Sequence, residues 1–296
     1  PECEFFERRF RRAILRFWRR DLRAMTTLLL VAALPLSLHL HSVPPRLSHT
    51  SRISTIRCGW GPDPIWTPND VVSIRDAAKG LKAITIMPPK DTASGYTIPG
   101  QYLQLREPGA EKAGIFAIAS APGADGAFEF LIKEQPPSNW SPGTGWLTSG
   151  SAGLKLEMSQ VMGSGFKIAP VLDQVDSVLL FAAGSGISPI RSTIESGMLA
   201  GKEVRLYYGA RTLDMMAYQD KFAAWEKLGV SVTPVISKPE GTGWKGATGY
   251  VQEIAKEKGV PKRSALLVCG MKGMFEGVKA LAKEAGLADE MVMANF

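Results

Sequence analysis

Residues 177–190 read SVLLFAAGSGISPI, an uninterrupted apolar run that ends in two glycines one residue apart. Such a run is typical of a strand that is buried on both faces of a parallel sheet. Ser188 is predicted to cap the helix that follows, with Pro189 in the first position of that helix. Ile190 and Ile194 then recur at helical spacing. The stretch therefore predicts a strand, a glycine loop and a helix, the unit of a doubly wound α/β domain.

Strands and helices continue to alternate along the rest of the chain. The predicted strands are 204–208, 230–236, 265–269 and 291–293, and the predicted helices lie around 215–228, 250–258 and 275–282. This interleaving predicts a parallel sheet with a ligand crevice at the carboxyl ends of its strands.

In the first half of residues 59–296, the body of the chain, apolar residues tend to recur at every second position instead. Short alternating or β-branched runs occur at 71–75, 82–86, 101–106, 115–119, 128–133 and 154–158, separated by Gly and Pro. They predict an antiparallel barrel or sandwich with few helices. The Pro-, Gly- and Ser-rich stretch 135–153 is predicted to be a long loop within this half.

Charge is distributed unevenly along the chain. Residues 1–58 contain eleven arginines and four acidic residues, which accounts for the +7 formal charge of the whole chain. Residues 59–296 hold 24 basic and 24 acidic residues and no histidine. A balanced body disfavours a nucleic-acid groove, and a body without histidine excludes Ser-His-Asp catalysis and histidine-ligated metals. Only one cysteine, Cys269, lies well inside the body, which excludes a disulfide framework and a four-cysteine iron–sulfur site.

The composition of the N-terminal segment is typical of a leader. Between Met25 and Pro62 it has no acidic residue, and an apolar run is followed by Ser, Thr, Pro and Arg. Such a composition indicates an organelle transit peptide, and residues 56–58 resemble a plastid processing site. We expect residues 1–58 to direct the protein to the chloroplast, with residues 1–24 as upstream read-through. A secretory signal is the alternative, and the apolar run is too short to span a membrane.

Two glycines one residue apart allow a ligand to approach the backbone, and the helix start offers free N–H groups and partial positive charge to a pyrophosphate. A tight strand–helix turn without a ligand is the alternative, because a Gly-x-Gly turn alone is a weak motif.

Several motifs together resemble the ferredoxin–NADP reductase superfamily. In the second half, GSGISPIR at 184–191 resembles the nicotinamide-dinucleotide loop, YYGART at 207–212 the motif of the second strand, and VCGM at 268–271 the VCGP turn. In the first half, PGQY at 99–102 and IASAP at 118–122 resemble the segments around the flavin site. The match covers residues 66–296 in order, and the run 184–192 is shared with the plant "fruit protein" branch, first named from kiwifruit.

This resemblance implies two domains and two cofactors. A flavin-binding antiparallel β-barrel is expected over residues 66–168 and an NAD(P)-binding α/β domain over 174–296. FAD is the implied flavin, with FMN as an alternative, and NADPH or NADH is the implied dinucleotide.

The resemblance also assigns site residues. The dinucleotide pyrophosphate is expected at Gly184, Ser185, Gly186, Ile187 and Ser188, and the nicotinamide beside Cys269, Gly270 and Met271. The NADP 2′-phosphate is expected at Ser237, Lys238 and Tyr250, with Arg211 as a further candidate cation. Flavin is expected at Phe116, Ala117, Ile118 and Ser120, with Gly143 and Thr144 as a loose second phosphate segment. Lysine in place of the family's arginine loses the bidentate fork, so NADPH is favoured only weakly over NADH.

Cys269 and Phe296 are the candidate catalytic residues. The structural alternatives are that Cys269 is a buried strand residue and that Phe296 packs against the last strand. For the phosphate-binding candidates Lys238 and Arg211, the alternative is a solvated surface charge.

One segment departs from the family pattern. The superfamily's flavin strand reads Arg-x-Tyr-Ser/Thr, and the aligned residues are Gly114, Ile115, Phe116 and Ala117. A charge-assisted hydrogen bond contributes about 1.5–3 kcal/mol, so loss of the arginine weakens flavin binding by about ten- to a hundredfold.

The prediction is a flavin-dependent NAD(P)H oxidoreductase that passes hydride from nicotinamide to flavin and on to an unknown acceptor. No nucleic acid, metal or membrane span is expected. The alternative is a non-catalytic dinucleotide-binding sensor or assembly factor that kept the fold and lost the flavin.

Overall fold

The computed structural model describes residues 62–295, except 124–125, 137–141 and 242. The predicted leader and Phe296 lie outside the described residues. Within them the strands form two six-stranded sheets, one antiparallel and one parallel.

The antiparallel sheet curls toward a barrel. Its strands are β1 (Thr67–Ala78), β2 (Leu81–Ile86), β3 (Tyr102–Arg106), β4 (Gly114–Ala117), β5 (Phe128–Lys133) and β6 (Lys155–Met158), in the order β4-β3-β6-β1-β2-β5. Alternate side chains point inward, as Leu103 and Leu105 do in β3. The N–H of Ala119, just beyond β4, donates to the carbonyl of Glu129 in β5 at 2.7 Å, which brings the two edge strands together. The predicted antiparallel architecture is confirmed.

The parallel sheet follows in the chain. Its strands are β7 (Ser177–Ala183), β8 (Glu203–Ala210), β9 (Val230–Ile236), β10 (Ala247–Thr248), β11 (Ser264–Cys269) and β12 (Val292–Ala294), in the order β10-β9-β8-β7-β11-β12. β7 lies at the centre and is buried along nearly its whole length, which explains its apolar sequence. The chain continues to β8 on one side of β7 and later to β11 on the other. β7 therefore ends at the switch point, where doubly wound sheets hold their ligands.

The α-helices are short. They are α1 (Lys90–Ser94), α2 (Pro142–Thr148), α3 (Ile187–Glu195), α4 (Phe222–Lys227), α5 (Val251–Lys258) and α6 (Lys272–Glu284), and 3-10 turns occur at Ala169–Gln174, Gly184–Gly186, Leu213–Met215, Gln219–Lys221 and Asp289–Met291. The longest helix of the described residues, α6, has 13 residues, whereas a membrane span needs about 20.

Three predictions about helices are wrong. The helix expected over 215–228 is only α4, because Tyr218 has a left-handed backbone (φ 61°, ψ 25°) that no α-helix can include. The stretch 135–153 is not all loop, since it contains α2. Ser188 does not cap α3 and Pro189 is not its first residue: the helix begins at Ile187, and the Ser188 hydroxyl donates to the carbonyl of Ser185 at 2.9 Å.

Candidate functional site

The glycine loop joins β7 to α3 at the switch point of the parallel sheet. Gly184 has φ 55°, in the left-handed region that favours glycine, and a β-carbon there would meet no atom within 4 Å. The loop is therefore open on this side. The N–H of Ile187, the first residue of α3, donates back to the carbonyls of Gly184 and Ser185, and the start of a helix carries about half a positive charge. Backbone N–H groups at such a position suit a phosphate.

Two of the other predicted loop residues can offer a ligand only backbone groups, whereas Ser185 is partly exposed. The side chains of Ile187 and Ser188 are buried, and the Ser188 hydroxyl is bonded back to Ser185. This bond tightens the turn between β7 and α3.

Gly186 has a packing role. A β-carbon on it would overlap the carbonyl of Cys269 and would lie 3.1 Å from the N of Gly270. The loop after β7 and the turn after β11 are thus in direct contact, and only a glycine allows it. This brings the predicted pyrophosphate and nicotinamide segments side by side, with Met271 exposed at the outer end of the turn.

Burial raises the pKa of the Cys269 thiol to about 12. The thiol is therefore protonated at neutral pH and is a poor nucleophile. It can line the site as a neutral group, and a thiolate mechanism at Cys269 is disfavoured.

The residues predicted to bind the 2′-phosphate follow adjacent strands. Arg211 follows β8, while Ser237 and Lys238 follow β9, and all three are exposed. The N–H of Lys238 donates to the carbonyl of Arg211 at 2.8 Å, so the two chain segments are in contact. Tyr250 follows β10 and is 58% exposed. The structure thus brings two cations, a hydroxyl and an aromatic ring to the carboxyl ends of adjacent strands. The glycine loop lies at the same end of the sheet.

On the antiparallel sheet, the predicted flavin residues lie on or just after β4, an edge strand. Phe116 and Ala117 are partly exposed, whereas Ile118 is buried. The hydroxyl of Ser120 donates to the carbonyl of Ala127 at 3.1 Å and accepts the N–H of Glu129 at 3.2 Å. The Ile118 side chain is thus packed in the core, and the Ser120 hydroxyl is hydrogen-bonded to the neighbouring chain segment.

The ring of Phe116 lies over Gly114, where a side chain at residue 114 would start. Gly143, at the start of α2, packs against the same residue, since its β-carbon would stand 3.2 Å from the N of Gly114. The carbonyl of Thr144 accepts the hydroxyl of Thr148 at 2.9 Å. The space beside Gly114 is therefore closed by the protein.

Comparisons with known proteins identify the family. Residues 180–280 match the model of the oxidoreductase NAD-binding domain. Fruit protein pKIWI502 of Actinidia deliciosa is 35% identical over 251 residues, which cover 78% of this chain and 77% of that protein. The chain belongs to the ferredoxin–NADP reductase superfamily, in the fruit-protein branch. The reductase component of propane 2-monooxygenase from Gordonia is 29% identical over 65% of this chain, and the match spans 57% of that protein.

Solved structures support the fold of this superfamily member. The ferredoxin NADP+ reductase of Neisseria gonorrhoeae, which holds FAD and NADP, superposes with a TM-score of 0.67 at 16% identity, over 77% of this chain and 97% of that one. The predicted two-domain fold class is confirmed by this likeness.

The residues fit the two implied cofactors unequally. The open Gly184 turn, the start of α3 and the cations after β8 and β9 suit a dinucleotide. On the flavin side, β4 supplies an aromatic ring and edge backbone groups, because an edge strand leaves one row of N–H and C=O groups unpaired. The four residues of β4 carry no charge, so their side chains supply no cation to a flavin phosphate. A superfamily flavin would fit here through backbone groups and the Phe116 ring.

Sequence reasoning missed the polar residues that join the two sheets. Glu129 of β5 pairs with Arg191 of α3, and Tyr96 bonds to Ser192 of α3. A usable signal was present for Arg191: the run ISPIRSTI at 187–194 places an arginine among apolar residues without an obvious solvent face, and the structure buries all eight residues. Glu129 gave no signal, because its place in an alternating strand predicts a solvated side chain.

Proposed function

We propose that this chain is a flavin-dependent NAD(P)H oxidoreductase. The observation that carries the proposal is the glycine loop 184–186, which is open and left-handed at Gly184 and touches the turn after β11 at Gly186. Gly184, Ser185 and the N–H groups at the start of α3 would bind the dinucleotide pyrophosphate. Cys269, Gly270 and Met271 would flank the nicotinamide, with the neutral Cys269 thiol excluding water.

NADPH is the proposed dinucleotide, with NADH as the weaker substrate. Arg211 and Lys238 would contact the 2′-phosphate as exposed cations, and Ser237 would donate a hydrogen bond to it. Tyr250 would lie against the adenine. The lysine acts as a point charge without a planar fork, so its preference for the phosphate is modest.

The flavin, FAD or FMN, would be held at the edge of β4 by backbone groups near Phe116 and Ala117. When bound, a flavin supplies an acceptor for the nicotinamide hydride and a donor for one- or two-electron acceptors. Because no side-chain cation of β4 reaches its phosphate, flavin is expected to bind weakly and to be lost during purification. Phe296 is retained as a proposed contact of the flavin ring.

Three wider proposals accompany this function. The boundaries are proposed as a leader over 1–58, a flavin-binding barrel over 66–168 and a dinucleotide-binding domain over 174–296. The leader's composition supports delivery to the chloroplast. The reductase components among the relatives support a separate protein or small molecule as the electron acceptor.

The purified chain tests the function directly. Visible spectra are recorded after incubation with FAD or with FMN, and NADPH is then added under anaerobic conditions. We expect a flavin spectrum that NADPH bleaches, and NADPH oxidation with ferricyanide that depends on added flavin. A chain that takes up neither flavin and oxidises no NADPH would overturn the proposal.

A second candidate function has its own observation. The ring of Phe116 over Gly114 closes the place of the family's arginine, which favours a non-catalytic dinucleotide-binding sensor or assembly factor. NADPH binding, followed by its fluorescence, without flavin uptake or NADPH oxidation would support that alternative.

A further inference from the structure

A buried ion pair connects the antiparallel sheet to the helix that follows the dinucleotide loop. Arg191 of α3, whose side chain is 8% exposed, pairs through its guanidinium with Glu129 of β5, whose side chain is 16% exposed. The Nε of Arg191 also bonds Glu195, one turn further along α3, at 3.0 Å. Arg191 is thus oriented from both sides, and of these two ion pairs the one with Glu129 links α3 to the antiparallel sheet.

Tyr218 completes this link. Its hydroxyl donates to Glu129 at 2.9 Å, and the guanidinium of Arg191 lies 4.5 Å from its ring centre. Tyr218 is 3% exposed, and among the described residues it is the one non-glycine residue with positive φ. A bulky residue in this conformation is strained and persists only where surrounding contacts hold it. The contact with Glu129 and Arg191 is such a constraint.

Ser192, the residue after Arg191, is also bonded to the antiparallel half. The hydroxyl of Tyr96, from the antiparallel half, bonds the hydroxyl of Ser192 and donates to the carbonyl of Ser120 at 2.8 Å. Adjacent residues of α3, Arg191 and Ser192, are therefore both anchored to the antiparallel half, within two turns of Gly186.

We propose that Glu129, Arg191 and Tyr218 form a positioning device that fixes the dinucleotide loop relative to the antiparallel sheet. α3 begins directly after the loop, so any rotation of this helix moves the loop with it. Resting on the function proposed above, the device would set the nicotinamide against the flavin edge at β4. The three side chains are largely buried and act through α3. Hydride transfer is sensitive to such placement, because a shift of about 1 Å can reduce the rate by about a hundredfold.

Glu129→Gln is the principal variant, because it keeps the shape of the side chain and removes the charge. Tyr218→Phe removes one hydroxyl and is the milder second variant. Glu157→Gln is the matched control: Glu157 pairs with Arg106 at 2.6 Å, with side chains 22% and 18% exposed, and both residues belong to the antiparallel sheet.

The first measurement is independent of activity. Spin labels at Ser151→Cys and Glu257→Cys, both exposed positions, report the distance between the two halves in a full chain with Cys3 and Cys58 changed to serine. We expect one narrow distance distribution in the parent and in Glu157→Gln, and a broadened one in Glu129→Gln and, to a smaller extent, in Tyr218→Phe. Unchanged distributions in both variants would overturn the proposal.

The second measurement separates positioning from general stability. With flavin and ferricyanide, Glu129→Gln should lower kcat by about tenfold while KM for NADPH stays within about twofold, because the loop is intact and only its placement changes. Equal changes in Glu129→Gln and the control would contradict positioning. If the parent oxidises no NADPH, the proposed function fails, and the distance measurement still decides this inference.

Discussion

The carbonyl of Cys269 lies where a β-carbon on Gly186 would stand. The second glycine of the loop therefore serves the contact between two chain turns, one after β7 and the other after β11. Gly184 differs, because its own surroundings are open and its backbone is left-handed. The two glycines are required for different physical reasons, and substitutions can separate them.

Gly186→Ala should displace the turn after β11 and destabilise the protein by about 1–3 kcal/mol, the usual cost of overpacking a tight contact. Gly184→Ala meets no atoms and should cost about 1 kcal/mol through backbone strain alone. Urea unfolding measures both. Dinucleotide titration should show a larger loss of affinity for Gly186→Ala, since it moves both binding turns. Equal stability of Gly186→Ala and the parent would contradict this packing role.

Local patterns were sufficient for most of the fold. The strands β2 to β9, β11 and β12 lie close to the predicted ranges, because alternation and apolar runs report burial directly. β1 extends beyond its predicted range on both sides, and the two-residue β10 was not predicted. The helix after β8 was overestimated because Tyr218 adopts a conformation that its own sequence does not favour. Contacts with Glu129 and Arg191, distant in sequence, impose it. Tertiary contacts outweigh local helix propensity at such a position.

The site was predictable to a different extent on each half. The sequence places the predicted dinucleotide residues directly after predicted parallel strands. Because the carboxyl ends of parallel strands lie on the same side of the sheet, these residues could be expected to lie near one another. The closure of the space beside Gly114 could not be read from the sequence, because it depends on the rotamer of Phe116 and the approach of Gly143. The link between Glu129 and Arg191 could be anticipated from one side only, since Arg191 lies in an apolar run but Glu129 looks solvated in its alternating strand.

Gly114→Arg should strengthen flavin binding. It returns a cation to β4, and a charge-assisted hydrogen bond to phosphate is worth about ten- to a hundredfold in affinity. The ring of Phe116 must rotate away, so Gly114→Met, of similar length without charge, is the control for that rearrangement. Flavin fluorescence titration compares both. Equal affinities for the two variants would show that no phosphate lies within reach of residue 114.

Glu129 should contribute to stability only while it is ionised. Burial alone would raise its pKa, but Arg191, the Tyr218 hydroxyl and Arg75 together hold the pKa below its usual value. The contribution is therefore fully present above the unfolded pKa of about 4.3 and is lost as pH falls through the lower folded pKa. The difference in unfolding free energy between parent and Glu129→Gln should be constant from about pH 7 to pH 5 and shrink at lower pH. A difference that grows on acidification would contradict the sign of the shift.

Lys238→Ala should weaken NADPH binding by about fivefold and leave NADH binding unchanged, since an exposed ion pair contributes at most about 1 kcal/mol. Lys238→Arg should tighten NADPH binding through its planar fork. Lys262→Ala is the matched control, because Lys262 is exposed before β11, at the opposite edge of the sheet. Dinucleotide fluorescence measures all three. Parallel losses for NADPH and NADH in Lys238→Ala would assign the lysine to the shared diphosphate.

Asn295 ties the last strand to the antiparallel half. Its side-chain Nδ2 donates to the carbonyl of Gly100 at 2.6 Å, while its backbone N–H donates to the carbonyl of Val268 at 3.0 Å. Asn295→Ala removes the first bond and should cost about 1 kcal/mol. Asn295→Asp also removes the donor and places a carboxylate against that carbonyl, so it should cost more at neutral pH than at pH 3, where the acid is protonated and can donate. Thermal unfolding at both pH values gives the order of the three chains. An aspartate variant as stable as the alanine variant at neutral pH would mean that this contact opens freely, and that the end of the chain is not held against Gly100 in solution.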